Sequence, residues 1–133
     1  MSEFTVVDIV FSDEQALVES LKELGYQPVV SEEAQNLYGY QGDKRVQTAH
    51  IIIPRKQVGS ASNDIGFERQ GDGKYKVIIS EYDSSARTFD MNKLKNFYAQ
   101  KVIEAYISNS CDYTIESKEV LSDGRIRIKI SSL

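Results

Sequence analysis

Four carboxylates crowd the middle of the chain: Asp64, Glu68, Glu81 and Asp83. Paired carboxylates perform acid–base chemistry or hold a hard cation when burial drives their pKa values apart. The same pattern arises where a hairpin points its charges to water, and Arg69, Lys74 and Lys76 are ready counter-charges; the solvated-face reading is the stronger. Among these acids lies Gly71-Asp72-Gly73-Lys74, which has the look of a phosphate-binding loop. A Walker-type loop, however, needs Gly-x-x-x-x-Gly-Lys-Ser/Thr running into a helix. Here Lys74 is followed by Tyr75, Val77 and Ile79 in alternation, with Ile65 and Phe67 alternating on the other side. Two such runs around Asp-Gly read as a β-hairpin, because that dipeptide accepts the positive φ angles of a tight turn.

A second constellation is "YGYQG". Tyr38 and Tyr40, two apart, share a face if the segment is a strand, beside Gln41 and Gly42. Tyrosines on an open sheet face offer a large apolar body and a hydroxyl to a partner. Their competing role is to cover the core edge while Gln41-Gly42 makes a turn. Together with Asp64 these residues form the best binding candidate. His50 reads as a hydrogen-bonded strand histidine, since no serine or cysteine motif supplies a catalytic partner. Arg125, Arg127 and Lys129 alternate along a strand, a stripe that could touch phosphates but more often guards against edge pairing, with Glu116 and Lys118 opposite. Asp8 is an awkward charge within an apolar strand.

These residues sit on a chain of 133 residues, 41% hydrophobic and 27% charged, with a net charge of −4. That length fits a single domain over residues 1–133 with an adequate core. The acidic balance argues against nucleic acid. Cys111 is the only cysteine, so no intrachain disulfide forms, and it reads as a small buried hydrophobe in a reduced compartment. One cysteine and one histidine leave no zinc-ligand pattern, and no motif asks for a cofactor or another metal. The start of the chain has neither a signal peptide's basic region nor a membrane span, so cytoplasm is the expected compartment.

The elements that must position these groups follow from periodicity. Phe4 to Phe11 reads as a buried strand. Ser12 reads as an N-cap, with Gln15 completing a capping box, ahead of a helix with Leu17, Leu21 and Leu24 on one stripe and Gly25 at its end. "YQPVV" is extended, "SEEAQN" a polar connection, and "RVQTAHIII" a strand closed by Pro54. "RKQVGSASN" and "DSSARTF" read as loops. Asp90 caps a second helix from Met91 to about Asn109, striped by Leu94, Tyr98, Val102, Ala105 and Tyr106. "DYTIESKEVL", "SDG" and "RIRIKI" make a closing hairpin. The expectation is an α+β domain, order β-α-β-β-β-β-α-β-β: one antiparallel sheet of about six to eight strands with two helices on one face.

At "GYQG" (Gly39 to Gly42), "DIGF" (Asp64 to Phe67), "LKELGY", "YAQKVIEA" (Tyr98 to Ala105) and the closing "DGRIRIKI", nearly the whole chain resembles a family of small hypothetical proteins from red-algal plastids and cyanobacteria, grouped as a domain of unknown function. The resemblance implies no activity. It implies a small α+β protein, an accessory role beside an AAA-type ATPase as partner, and plastid stroma as the compartment if the protein is organelle-encoded. The chain departs from that pattern in having no tryptophan, with Arg69 and "DSSARTF" standing where the family carries it. The leading expectation is a non-enzymatic protein-interaction module, self-association included; the alternative is a small hydrolase or transferase on the carboxylate hairpin. A weak nucleic-acid binder on the basic strand comes third.

Overall fold

A computed structural model describes residues 2–7, 11–108, 112–120 and 126–132. Asp8, Cys111, Arg125 and the Ser122–Gly124 turn, all singled out above, lie outside the described residues. The fold is α+β, and the order β-α-β-β-β-β-α-β-β is found with two short helices added to it. Among the described residues the strands divide into two antiparallel sheets, where one was expected. The chain forms two compact units, Met1–Ser20 with Met91–Leu133, and Leu21–Asp90.

The first unit holds a three-stranded sheet, β1 (Ser2–Val7), β7 (Ile126–Ser132) and β6 (Tyr113–Val120), with β7 in the middle. Helix α4 (Met91–Ser108) lies on it: Ala99 packs with Ile103, Ile115 and Ile130. The expected stripe holds at Leu94 and Tyr98, which are buried, but Ala105 and Tyr106 are exposed. The buried face continues through Ala99 and Ile103 instead, as 3.6-residue periodicity also permits. Helix α1 (Glu14–Glu23) begins in this unit and runs into the second, with Leu17 and Leu21 fully buried. Its cap is Asp13 and not Ser12: the Asp13 carboxylate accepts the Ala16 N–H at 2.9 Å. Ser12 and Asp13 direct their own N–H groups to the Tyr98 hydroxyl, each at 2.9 Å, and Phe11 meets the Tyr98 ring edge-on at 4.9 Å.

The second unit holds the four-stranded sheet, in order β2 (Val29–Tyr38), β3 (Lys44–Ile53), β4 (Ile65–Arg69), β5 (Tyr75–Ile78). "SEEAQN" is part of β2 and not a connection; a break in register between Val30 and Gln35 lets β2 take five steps where β3 takes two. Such a bulge leaves the extra polar residues unpaired and at the surface. Two expected loops contain helical turns, α2 (Arg55–Val58) and α3 (Glu81–Ala86). The Gly-Asp-Gly-Lys stretch is the β4–β5 turn: Gln70 N–H donates to the Lys74 carbonyl at 2.8 Å, and Gly73 takes a φ of +83°. Lys74 leads into a strand, so no helix amides converge there. Ile51, Ile53, Ile65 and Phe67 form the core without solvent exposure, each contributing about 1.5–3 kcal/mol by burial.

Gly66 explains part of "DIGF". A Cβ on it would stand 2.6 Å from the Ala49 Cβ and 3.0 Å from Leu37, so only glycine fits between these side chains. Ile65 and Phe67 supply the core on either side.

Candidate functional site

The acidic residues divide by what they hold. Asp64, only 9% exposed, accepts the Tyr38 N–H on Oδ2 at 2.8 Å and the Arg55 N–H on Oδ1 at 2.7 Å, while its own N–H donates to the Tyr38 carbonyl. It thereby ties the end of β2 to the start of α2. Its neighbour Asn63 accepts the Tyr40 N–H at 2.9 Å. The β2–β3 turn carrying Tyr38 and Tyr40 is held by two consecutive side chains of the segment before β4.

Asp83 is wholly buried. Its Oδ2 accepts from Asn63 N–H at 2.9 Å and from the Ser80 hydroxyl at 2.7 Å; its Oδ1 accepts from the Thr88 hydroxyl at 2.6 Å. Ser62 contributes a further side-chain hydrogen bond. Asp83 N–H donates in turn to Ser80 Oγ, which caps the start of α3. Burial pushes this carboxyl up, but hydrogen bonds from Thr88, Asn63, Ser62 and Ser80 to the charged form outweigh it and bring the pKa to about 2. The Ser80-x-x-Asp83 spacing was a visible capping signal in the sequence.

Glu68 faces Lys76 in the β4–β5 register and accepts from Thr48 at 3.0 Å and from Gln70. Glu81 is exposed in the first turn of α3. Among the described residues no three of His, Cys, Asp and Glu are grouped as a metal ion would need. His50 accepts the Arg69 N–H on Nδ1 at 2.9 Å, as befits a strand histidine. Across β6 and β7, Arg127 meets Glu119 at 3.5 Å and Lys129 meets Glu116 at 3.4 Å, which neutralises the described part of the basic stripe.

Tyr38 ends β2, and Tyr40 sits in the turn that follows, so the two do not share a strand as their spacing had suggested. Both are about half exposed, 46% and 50%. Gln41 donates to the Tyr40 hydroxyl at 3.1 Å, and Gly42 N–H closes the turn on the Gly39 carbonyl. On one side of Tyr38 a hollow of about 100 Å³ is lined by Asn63, Asp64, Ser80 and Arg45 with Leu37 and Ile78. On another, an open hollow of about 350 Å³ has Val29, Ile52 and Pro54 as apolar walls and Arg55 and Lys56 beside them. Sequence reasoning missed this second hollow, because its walls come from β2, β3 and α2 and only pairing brings them together.

A family model described as "Protein of unknown function (DUF1257)" matches residues 20–129. The chain belongs to this family. No curated protein matches it, and no solved structure does. The "GYQG" and "DIGF" segments that carried the resemblance lie within the matched span, and each has a structural reason: one is the tyrosine-bearing turn, the other the strand whose Asp64 anchors that turn. Among the described residues no helix is long and apolar enough to cross a membrane.

Proposed function

We propose that the chain is a protein-interaction module whose working surface is the β2–β3 turn with Tyr38 and Tyr40. One observation carries this reading: two half-exposed aromatic side chains, Tyr38 at the end of β2 and Tyr40 in the turn that follows, have their backbone amides pinned by Asp64 and Asn63. Aromatic anchors held in place before binding lose little freedom on docking, which is where binding energy is otherwise spent. Two of the four acids that would serve a hydrolase or transferase are engaged elsewhere, since both oxygens of Asp64 and of Asp83 already accept hydrogen bonds.

Pairing of a partner strand to an edge of the four-stranded sheet is the weaker mode. Edge strand β2 is bulged and carries exposed Glu32 and Glu33, and the opposite edge β5 has four residues. Bulges, charge and shortness all discourage strand addition. The partner, an AAA-type ATPase or a second copy of the chain among the expectations, would therefore meet side chains and not backbone.

The test replaces Tyr40 with the photo-crosslinker p-benzoylphenylalanine in full-length protein in its native cell. Defined crosslinked polypeptides, absent when the crosslinker stands at exposed Asp72, are the expected result. The same adducts from both positions, or none from Tyr40, would reject the proposal.

A further inference from the structure

The open hollow beside Tyr38 has an apolar floor and two cations, and that pairing specifies an occupant. Val29 and Tyr38 are about half exposed although apolar, at 51% and 46%, and Ile52 and Pro54 continue the same wall. Arg55 and Lys56 complete the lining, and among the described residues neither side chain enters an ion pair. The other charge present is Asp64, whose oxygens are occupied by the Tyr38 and Arg55 amides. Its hydrogen-bonding capacity is turned inward, while the two cations keep theirs for a ligand.

The volume of about 350 Å³ is at the lower end of the range in which ligand pockets fall. It suits one bulky side chain better than a folded surface. Arginine and lysine beside that space select a carboxylate, arginine by its bidentate fork. The chain as a whole is acidic, with a net charge of −4, so a locally cationic apolar hollow runs against its background.

We infer that this hollow docks a peptide segment of a partner protein in which a bulky apolar side chain stands next to an aspartate or glutamate. The inference rests on the interaction-module reading and adds the chemistry of the partner. The apolar side chain fills the space between Val29 and Pro54, and the adjacent carboxylate meets Arg55 and Lys56.

The test pans a display library of random twelve-residue peptides against the full-length chain, and measures the enriched peptides by fluorescence anisotropy. The expected consensus is an aromatic or large aliphatic residue next to Asp or Glu. Affinity should fall at least tenfold with Arg55→Glu/Lys56→Glu and stay within twofold with Arg55→Lys/Lys56→Arg and with the control Lys74→Glu. Raising salt from 50 to 500 mM should weaken binding by about threefold to tenfold, as exposed charge pairs require. Circular dichroism and melting curves establish that each variant is folded. A consensus without an acid, binding indifferent to the Arg55/Lys56 reversal, or no enrichment at all would overturn the inference. If crosslinking from Tyr40 still captures a polypeptide in that event, the module reading survives and only the assigned chemistry falls.

Discussion

Asp83 and Glu119 are both carboxylates beside hydrogen-bond donors, yet the two units use them differently. In the four-stranded unit Asp83 has no solvent contact and gathers donors from Asn63, Ser80 and Thr88. In the three-stranded unit Glu119 meets Arg127 at 3.5 Å with 60% and 45% of the two side chains exposed. The first carboxylate replaces water with a set of fixed donors, so the loops bearing those donors share one geometry. The second keeps its water, so the pair constrains little. Buried acids hold the segments beneath the exposed tyrosines of the four-stranded unit: Asp64 takes the Tyr38 N–H, and Asp83 takes the N–H of Asn63, which holds that of Tyr40.

The sharpest way to break this contrast is Asp83→Ala, which strands at least three donors in a dry site. A loss of roughly 3–4 kcal/mol is expected, read by urea unfolding. The pH dependence gives an independent check. The folded pKa of Asp83, about 2, is depressed below its ordinary 3.8. Its contribution to stability is therefore present above pH 4 and lost as pH falls through about 2. The difference is worth about 2 kcal/mol. Asp83→Asn should flatten the unfolding curve between pH 4 and 2; an unchanged slope would mean that Asp83 is not the group responsible.

Next in size is Gly66→Ala. The added Cβ meets Ala49 at 2.6 Å inside the sheet, so backbone or side chains must move, at a cost of about 1–3 kcal/mol. Ala49→Gly in the same chain should return part of the loss, since it removes the opposing carbon. A Gly66→Ala melting temperature equal to that of the parent would show that the strands are less closely packed there.

How far such features were legible depends on their range. Helix α4 was readable from its start at Met91, because the first part of its stripe, Leu94 and Tyr98, is local, and the β4–β5 hairpin was readable from Asp-Gly between alternating runs. Asp13 is the cap, and the N–H groups of Ser12 and Asp13 go to Tyr98, which lies 85 residues from Asp13 in sequence. No local rule could supply that partner. Asp83 was visible as an acid, but its burial depends on Asn63 and Thr88 converging, and the split into two sheets depends on β7 pairing with β1 across nearly the full chain. Of the candidate site, the tyrosines and Asp64 were singled out in the sequence by residue type. Arg55 and Lys56 were passed over as loop residues and Pro54 as the end of a strand, since a hollow exists only after pairing.

The three-stranded unit carries its own fixed polar node at Tyr98, and Tyr98→Phe measures it. The substitution removes the oxygen that accepts the Ser12 and Asp13 N–H groups while keeping the ring against Phe11. Loss of about 1–2 kcal/mol is expected, less than at Asp83 because water can reach these partly buried amides. A loss matching that of Asp83→Ala would erase the ranking of the two units.

The smallest effect closes the comparison from the other side. A double-mutant cycle on Arg127→Ala and Glu119→Ala should give a coupling of only about 0.2–0.5 kcal/mol, because both side chains keep much of their hydration and lose rotamer freedom when paired. Raising salt to 1 M should shrink even that, as the Debye length drops to about 3 Å, below the 3.5 Å separation of the pair. If the cycle instead yields more than about 1.5 kcal/mol, undiminished by salt, the pair is desolvated. The three-stranded unit would then be using charge as the four-stranded unit does, and the contrast drawn from Asp83 would no longer separate them.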